Sequence, residues 1–99
     1  MSNFEIDLDE YAEGAVMLDG FEDCIVGVVE EFGNGRRLLY DKQKMINKLC
    51  SEDLMTEQEA EEFFDYNILG LHVNEQNAVF LDQRIIPVIT EQKVIYKIE

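Results

Sequence analysis

The residues of this chain best placed to do chemistry are its carboxylates. In MTEQEAEEFFDYNILG, Met55 to Gly70, the acids Glu57, Glu59, Glu61, Glu62 and Asp65 fall within nine residues, with no lysine or arginine among them. At helical spacing Glu57, Glu61 and Asp65 form one column, with Glu62 beside it. Carboxylates one turn apart stand about 5–6 Å from each other, close to the spacing of phosphates along a nucleic-acid strand, so a row of them fits the basic cleft of a DNA- or RNA-binding protein. A second set, Asp7, Asp9, Glu10 and Glu13, lies near the N-terminus. These eight residues are the candidate partner-binding set. The competing reading is a solvated face that serves solubility alone.

Other chemistries find less support. Asp19, Asp23 and Asp41 are the carboxylates an enzyme or small-ligand site would use, and they need a concave pocket that gathers them. DLDEYAEGAVML opens like a calcium loop, but its fifth, sixth and twelfth positions are Tyr11, Ala12 and Leu18, which excludes an EF-hand. His72 is the only histidine and has no Cys or His at ligand spacing, so neither a zinc site nor a nucleophilic triad is expected. Gly33-Asn34-Gly35-Arg36 lacks the Gly-Lys-Ser/Thr ending of a phosphate loop and reads as a hairpin turn. No catalytic residue, metal or cofactor is expected.

Composition bounds the setting. Ninety-nine residues, 46% of them hydrophobic, make one folded domain over 1–99, with 1–13 an acidic arm or short edge strand. Eight basic residues against 22 acidic give a net charge of −14, which repels nucleic acid and anionic membranes and favours a basic partner. That charge is blocked: residues 1–35 carry −10, 36–48 carry +4, 49–83 carry −9 and 84–99 carry +1. With no signal-like start and no apolar run of about 20 residues, a cytoplasmic location is expected, with Cys24 and Cys50 reduced.

The elements that position these groups follow from pattern. FEIDLDEYAE alternates at Phe4, Ile6 and Leu8 as a short exposed strand or arm. CIVGVVEEF is a buried strand, returning through the Gly33–Gly35 turn into RRLLY. Asp41 is placed to cap a helix over KQKMINKLCSEDL. Thr56 and Glu59 form a capping box for the next helix, whose core face comprises Ala60, Phe63, Phe64, Asn67 and Ile68. Asn67 is thus expected to make a buried polar contact with Asp41 or Tyr40, and the repulsion in the acidic column has no local compensation. LHVN, NAVFLD, RIIPVI and KVIYKI read as strands, with Pro87 restricting its strand to an edge or a bulge. The order ββ-αα-βββ predicts an α+β domain, a helical hairpin packed on a small antiparallel sheet.

Four blocks of this chain, DGFEDCIVGVV, LLYDKQKMINKL, MTEQEAEEFFDYNILG and NAVFLD, resemble in order a family of small uncharacterised acidic proteins common in bacteriophage genomes. The resemblance covers residues 17–84. Asp19, Gly20, Gly27, Tyr40, Asp41, Lys44, Thr56, Glu59, Ala60, Phe64, Asn67 and Gly70 match the family pattern, and NEQNA stands where the family has GEGTP. The family has no established activity, so the resemblance implies a viral setting and the host cytoplasm rather than a mechanism. The function expected is non-enzymatic binding of a basic host protein, with nucleic-acid mimicry that inhibits a host defence or nucleic-acid enzyme. The alternatives are a homo-oligomer joined through strand edges or the helical hairpin, and a small-ligand binder.

Overall fold

The computed structural model describes residues 5–33, 35–71, 76–89 and 93–98. The β-branched run after Cys24 forms β1 (Ile25–Glu31), which pairs antiparallel with β2 (Gly35–Asp41) from Glu31 opposite Gly35 to Ile25 opposite Tyr40. A bulge between Ile25 and Gly27 interrupts the register. It leaves Val26 exposed at the strand edge.

Asp41 ends β2 and caps α2 (Lys42–Glu52), its Oδ1 accepting from the Lys44 amide at 3.1 Å. Buried Met45, Ile46 and Leu49 give α2 its core stripe. At Leu54 the backbone turns left-handed (φ 55°), leaving that side chain exposed, before α3 (Glu57–Phe63) begins. The capping box is complete: the Glu59 amide donates to Thr56 Oγ1 at 3.1 Å, and the Thr56 amide donates to Glu59 Oε1 at 2.9 Å.

From Phe64 to Leu69 the helix widens into a π-helix. Ala60, Phe64 and Ile68 are buried, Phe63 is half-buried and Asn67 is exposed. The expected buried contact from Asn67 to Asp41 or Tyr40 is therefore absent. The wider turn advances less angle per residue, so position 67 no longer falls over the core face.

After the helices, β3 (Val79–Leu81) returns beside β2 in parallel register, with Tyr40 opposite Phe80. The three-stranded sheet, ordered β1-β2-β3, is therefore mixed rather than antiparallel. Parallel pairing requires the connection through α2 and α3 to cross over to the end of the sheet at which β2 begins. β4 (Ile85–Ile89) and β5 (Val94–Ile98) form a separate antiparallel ribbon, with Pro87 opposite Tyr96. Each strand of such a ribbon has an open edge, which accommodates the proline. Of the expected LHVN strand, Leu71 lies outside any strand and 72–74 lie outside the described residues.

The core sits between sheet and helices. Tyr40, Leu38, Met45, Ile46, Leu49 and Phe64 are almost fully buried, and Phe80 meets the Phe64 ring edge-on with centroids 5.0 Å apart. The Tyr40 hydroxyl, buried at the centre, accepts from the Leu18 amide at 2.8 Å and so ties the N-terminal third of the chain to the sheet.

Candidate functional site

Asp7, Asp9 and Glu10 are held by a helical turn where a short exposed strand or arm was expected. α1 (Leu8–Tyr11) is a single turn capped by Asp7, whose carboxylate accepts from the Asp9 amide at 2.9 Å. The signal for it is visible in Asp7-x-x-Glu10, the spacing of an N-terminal cap. Ala12 is buried and Leu8 packs against the core, so the described part of the segment is anchored.

Tyr11 and Arg36 clamp this helix to the hairpin. The Arg36 guanidinium lies 3.9 Å from the Tyr11 ring centroid, donates to the Tyr11 carbonyl at 2.8 Å and reaches Glu30 Oε1 at 3.1 Å. The Tyr11 hydroxyl donates to the same Glu30 oxygen at 3.0 Å. Arg36, and then Tyr11, hold the Glu30 carboxyl below its ordinary range. Next to it Arg37 pairs with Glu31.

Gln76 closes the junction, its Nε2 donating to the carbonyls of Glu13 and Arg36 at 2.9 Å each. Gly14 (φ 87°) and Gly35 (φ 71°) flank that side chain so closely that a Cβ would come within 2.5 Å and 2.9 Å of its amide. Both positions favour glycine for their left-handed conformation, and a Cβ at either would push the Gln76 amide off its two carbonyls.

Two shallow depressions meet at Arg36. One is bordered by Glu5, Ile6, Asp7, Glu10 and Tyr11, the other by Glu13, Glu30, Glu31, Phe32 and Gln76. Asp7, Glu10 and Glu13 are thus brought together with three carboxylates outside the sequence-based set, Glu5, Glu30 and Glu31. Asp9 is exposed but borders neither depression. Phe32 stands fully exposed at the hairpin tip. The convergence depends on hairpin pairing that swings residues 30 and 31 towards residues 10 to 13, which no linear charge count reveals.

The α3 acids are arranged differently. Glu57, Glu62 and Asp65 are exposed, and none borders either depression. Glu59 serves the capping box. Glu61 is half-buried and accepts from Arg84 Nη1 at 3.0 Å, while Arg84 also grips Asp82 through Nε at 3.0 Å and Nη2 at 2.8 Å. The acidic column therefore has compensation from Arg84, contrary to the expectation from its own segment. Arg84 holds the Asp82 carboxyl down at about 2.

The alternative carboxylates do not converge. Asp23 accepts from Lys48 Nζ at 2.8 Å in a cleft with Lys44 and Glu52, Asp41 is occupied as a cap bordering a cleft with Gln83 and Arg84, and Asp19 borders neither. Burial pushes the neighbouring Cys24 thiol up to about 11, so it remains protonated and inert at neutral pH. Both cysteines are free. His72 lies outside the described residues. Among the described residues, no group of three His, Cys, Asp or Glu side chains is placed to hold a metal ion, and no helix is long and apolar enough to cross a membrane. No protein-family model, curated protein or solved structure matches this chain.

Proposed function

We propose that this protein is a non-enzymatic acidic binding module whose α1–hairpin end docks into the basic cleft of a nucleic-acid-binding protein, its carboxylates standing where phosphates otherwise lie. The observation that carries this reading is the fixed arrangement of Glu5, Asp7, Glu10, Glu13, Glu30 and Glu31 around the Tyr11–Arg36 clamp, with only Arg36 and Arg37 as local counter-charges. A solvated face needs no such convergence. The exposed Phe32 beside it supplies an aromatic anchor of the kind that dominates protein–protein binding energy. The phage resemblance adds a setting: a host-cytoplasmic defence or nucleic-acid enzyme is the partner class, and inhibition is the consequence. The α3 acids are secondary in this reading, because Glu57, Glu62 and Asp65 border neither depression and Glu61 is paired with Arg84.

The test begins with capture of a host protein at low salt and asks whether duplex DNA displaces it competitively. The triple variant Asp7→Asn, Glu10→Gln, Glu13→Gln is expected to slow association about tenfold and flatten the salt dependence, because distributed charge steers encounter. Phe32→Ala is expected to act on dissociation instead. A partner indifferent to DNA and bound by the triple variant at the wild-type rate removes mimicry from the mechanism.

A further inference from the structure

Residue 76 grips the N-terminal segment on both sides of Gly14. Its side-chain Nε2 donates to the Glu13 carbonyl at 2.9 Å, and its own carbonyl accepts from the Val16 amide at 3.1 Å. Gly14, at φ 87°, is the joint at which α1 would otherwise swing, and this bracket spans it. The second Nε2 hydrogen goes to the Arg36 carbonyl at 2.9 Å, so one amide group joins segments 63 and 40 positions away. The two segments carry like charge, Asp7, Glu10 and Glu13 on one and Glu30 and Glu31 on the other. Left to themselves they repel. Arg36 opposes this in part, but its pair with Glu30 is exposed and weakens as salt rises, whereas a neutral amide donating to two carbonyls does not depend on charge.

We propose that Gln76 is the positioning residue of the acidic end: it fixes α1 at one distance from the hairpin, so that the acids of both meet a partner as a single preorganised array. The inference rests on the reading of that end as a binding surface. Glu13, Arg36 and Gln76 all border the depression on the hairpin side, so the amide stands at the site it orders. Gly14 and Gly35 leave that amide the room which a Cβ at either would take. An array already held in its bound geometry loses less freedom on binding, and the gain appears in residence time rather than in encounter.

Nitrogen-15 relaxation on the full chain, wild type against Gln76→Met, reads the positioning. Methionine keeps an unbranched side chain of similar length and removes both donors. Backbone order parameters of residues 9–12 are expected at about 0.85 in the wild type and below about 0.6 in the variant, with α2 unchanged between the two. A loss of stability alone would not move them. Gly35→Ala, which crowds the same amide from the hairpin side, is expected to loosen residues 9–12 in the same way. Three results overturn the inference: residues 9–12 already loose in the wild type, residues 9–12 as ordered in the variants as in the wild type, or α2 loosened equally with them. Against the host protein captured as above, Gln76→Met alters no charge, so association and its salt dependence stay at wild-type values while dissociation quickens about tenfold. Wild-type dissociation from a loosened α1 would refute the preorganisation. Failure to capture any DNA-displaced protein, with the order parameters as expected, counts against mimicry and not against the positioning of α1.

Discussion

At the scale of single residues, Arg84 changes how the acidic helix is understood. It lies just beyond the acidic segment and 23 positions from Glu61, so neither helical periodicity nor local charge balance points to the pair. Its grip on Asp82 has a pH consequence. The Asp82 carboxyl falls from an ordinary 3.8 to about 2, so the stability the pair contributes is fully present above about pH 4 and is lost as pH falls through about 2. Protonating the other carboxylates works in the opposite direction, because it relieves the self-repulsion of a chain at −14. The two effects separate by comparison with Arg84→Gln, in which Asp82 regains its ordinary affinity for protons. The wild type's advantage in urea-unfolding midpoint over that variant is expected to be constant near neutrality and to shrink between about pH 4 and about pH 2. An advantage that does not change across this window would mean that the Arg84–Asp82 pair contributes nothing to it.

At the scale of elements, local signals are legible in the sequence and their geometric context is less so. Asp41 and the Thr56–Glu59 box mark both long helices, and the hairpin is visible in its β-branched strand and glycine turn, because caps and turns are set by a few adjacent side chains. Two features depend on more than adjacency, and a third had a local signal that apolar alternation outweighed. The parallel β2–β3 pairing requires a crossover through the intervening helices and the π-helix redirects position 67, whereas Asp7 caps a helical turn where alternation indicates a strand or arm. The redirection of position 67 can be tested. Since Asn67 is exposed, Asn67→Ala is expected to alter stability by less than about 0.5 kcal/mol. Thr56→Ala, which removes an acceptor from a complete capping box, should cost about 0.5–2 kcal/mol. Chemical unfolding of the two variants side by side gives the ranking, and the reverse order would place Asn67 back on the core face and the helix in continuous α register.

At the scale of the whole molecule, the excess of 22 acids over 8 bases governs both stability and association. The charge blocks are plain in the sequence, but their convergence around Arg36 is not, because it is made by the fold. Ion pairs among the described residues engage Glu30, Glu31, Asp23, Glu61 and Asp82, and eight bases against 22 acids leave an excess of 14 whatever the pairing. The radius of gyration is 15.7 Å. At about 0.01 M salt the screening length is about 30 Å, so acids across the whole domain repel one another; at about 0.15 M it falls to about 8 Å and only neighbours do. The exposed ion pairs lose little over the same range, since each contributes about 0–1 kcal/mol at the outset. Repulsion is therefore the larger salt-sensitive quantity, and the thermal midpoint of the free protein should rise as sodium chloride increases from about 0.01 to about 0.15 M. A gain of about 1 kcal/mol corresponds to about 4–8 °C for a domain of this size. A midpoint that falls with salt would put the ion pairs, not the repulsion, in control. The same screening must then act with opposite signs on the fold and on the proposed capture of a basic partner, raising the thermal midpoint while weakening the capture, so one salt titration followed by both readouts tells repulsion within the chain from attraction between chains.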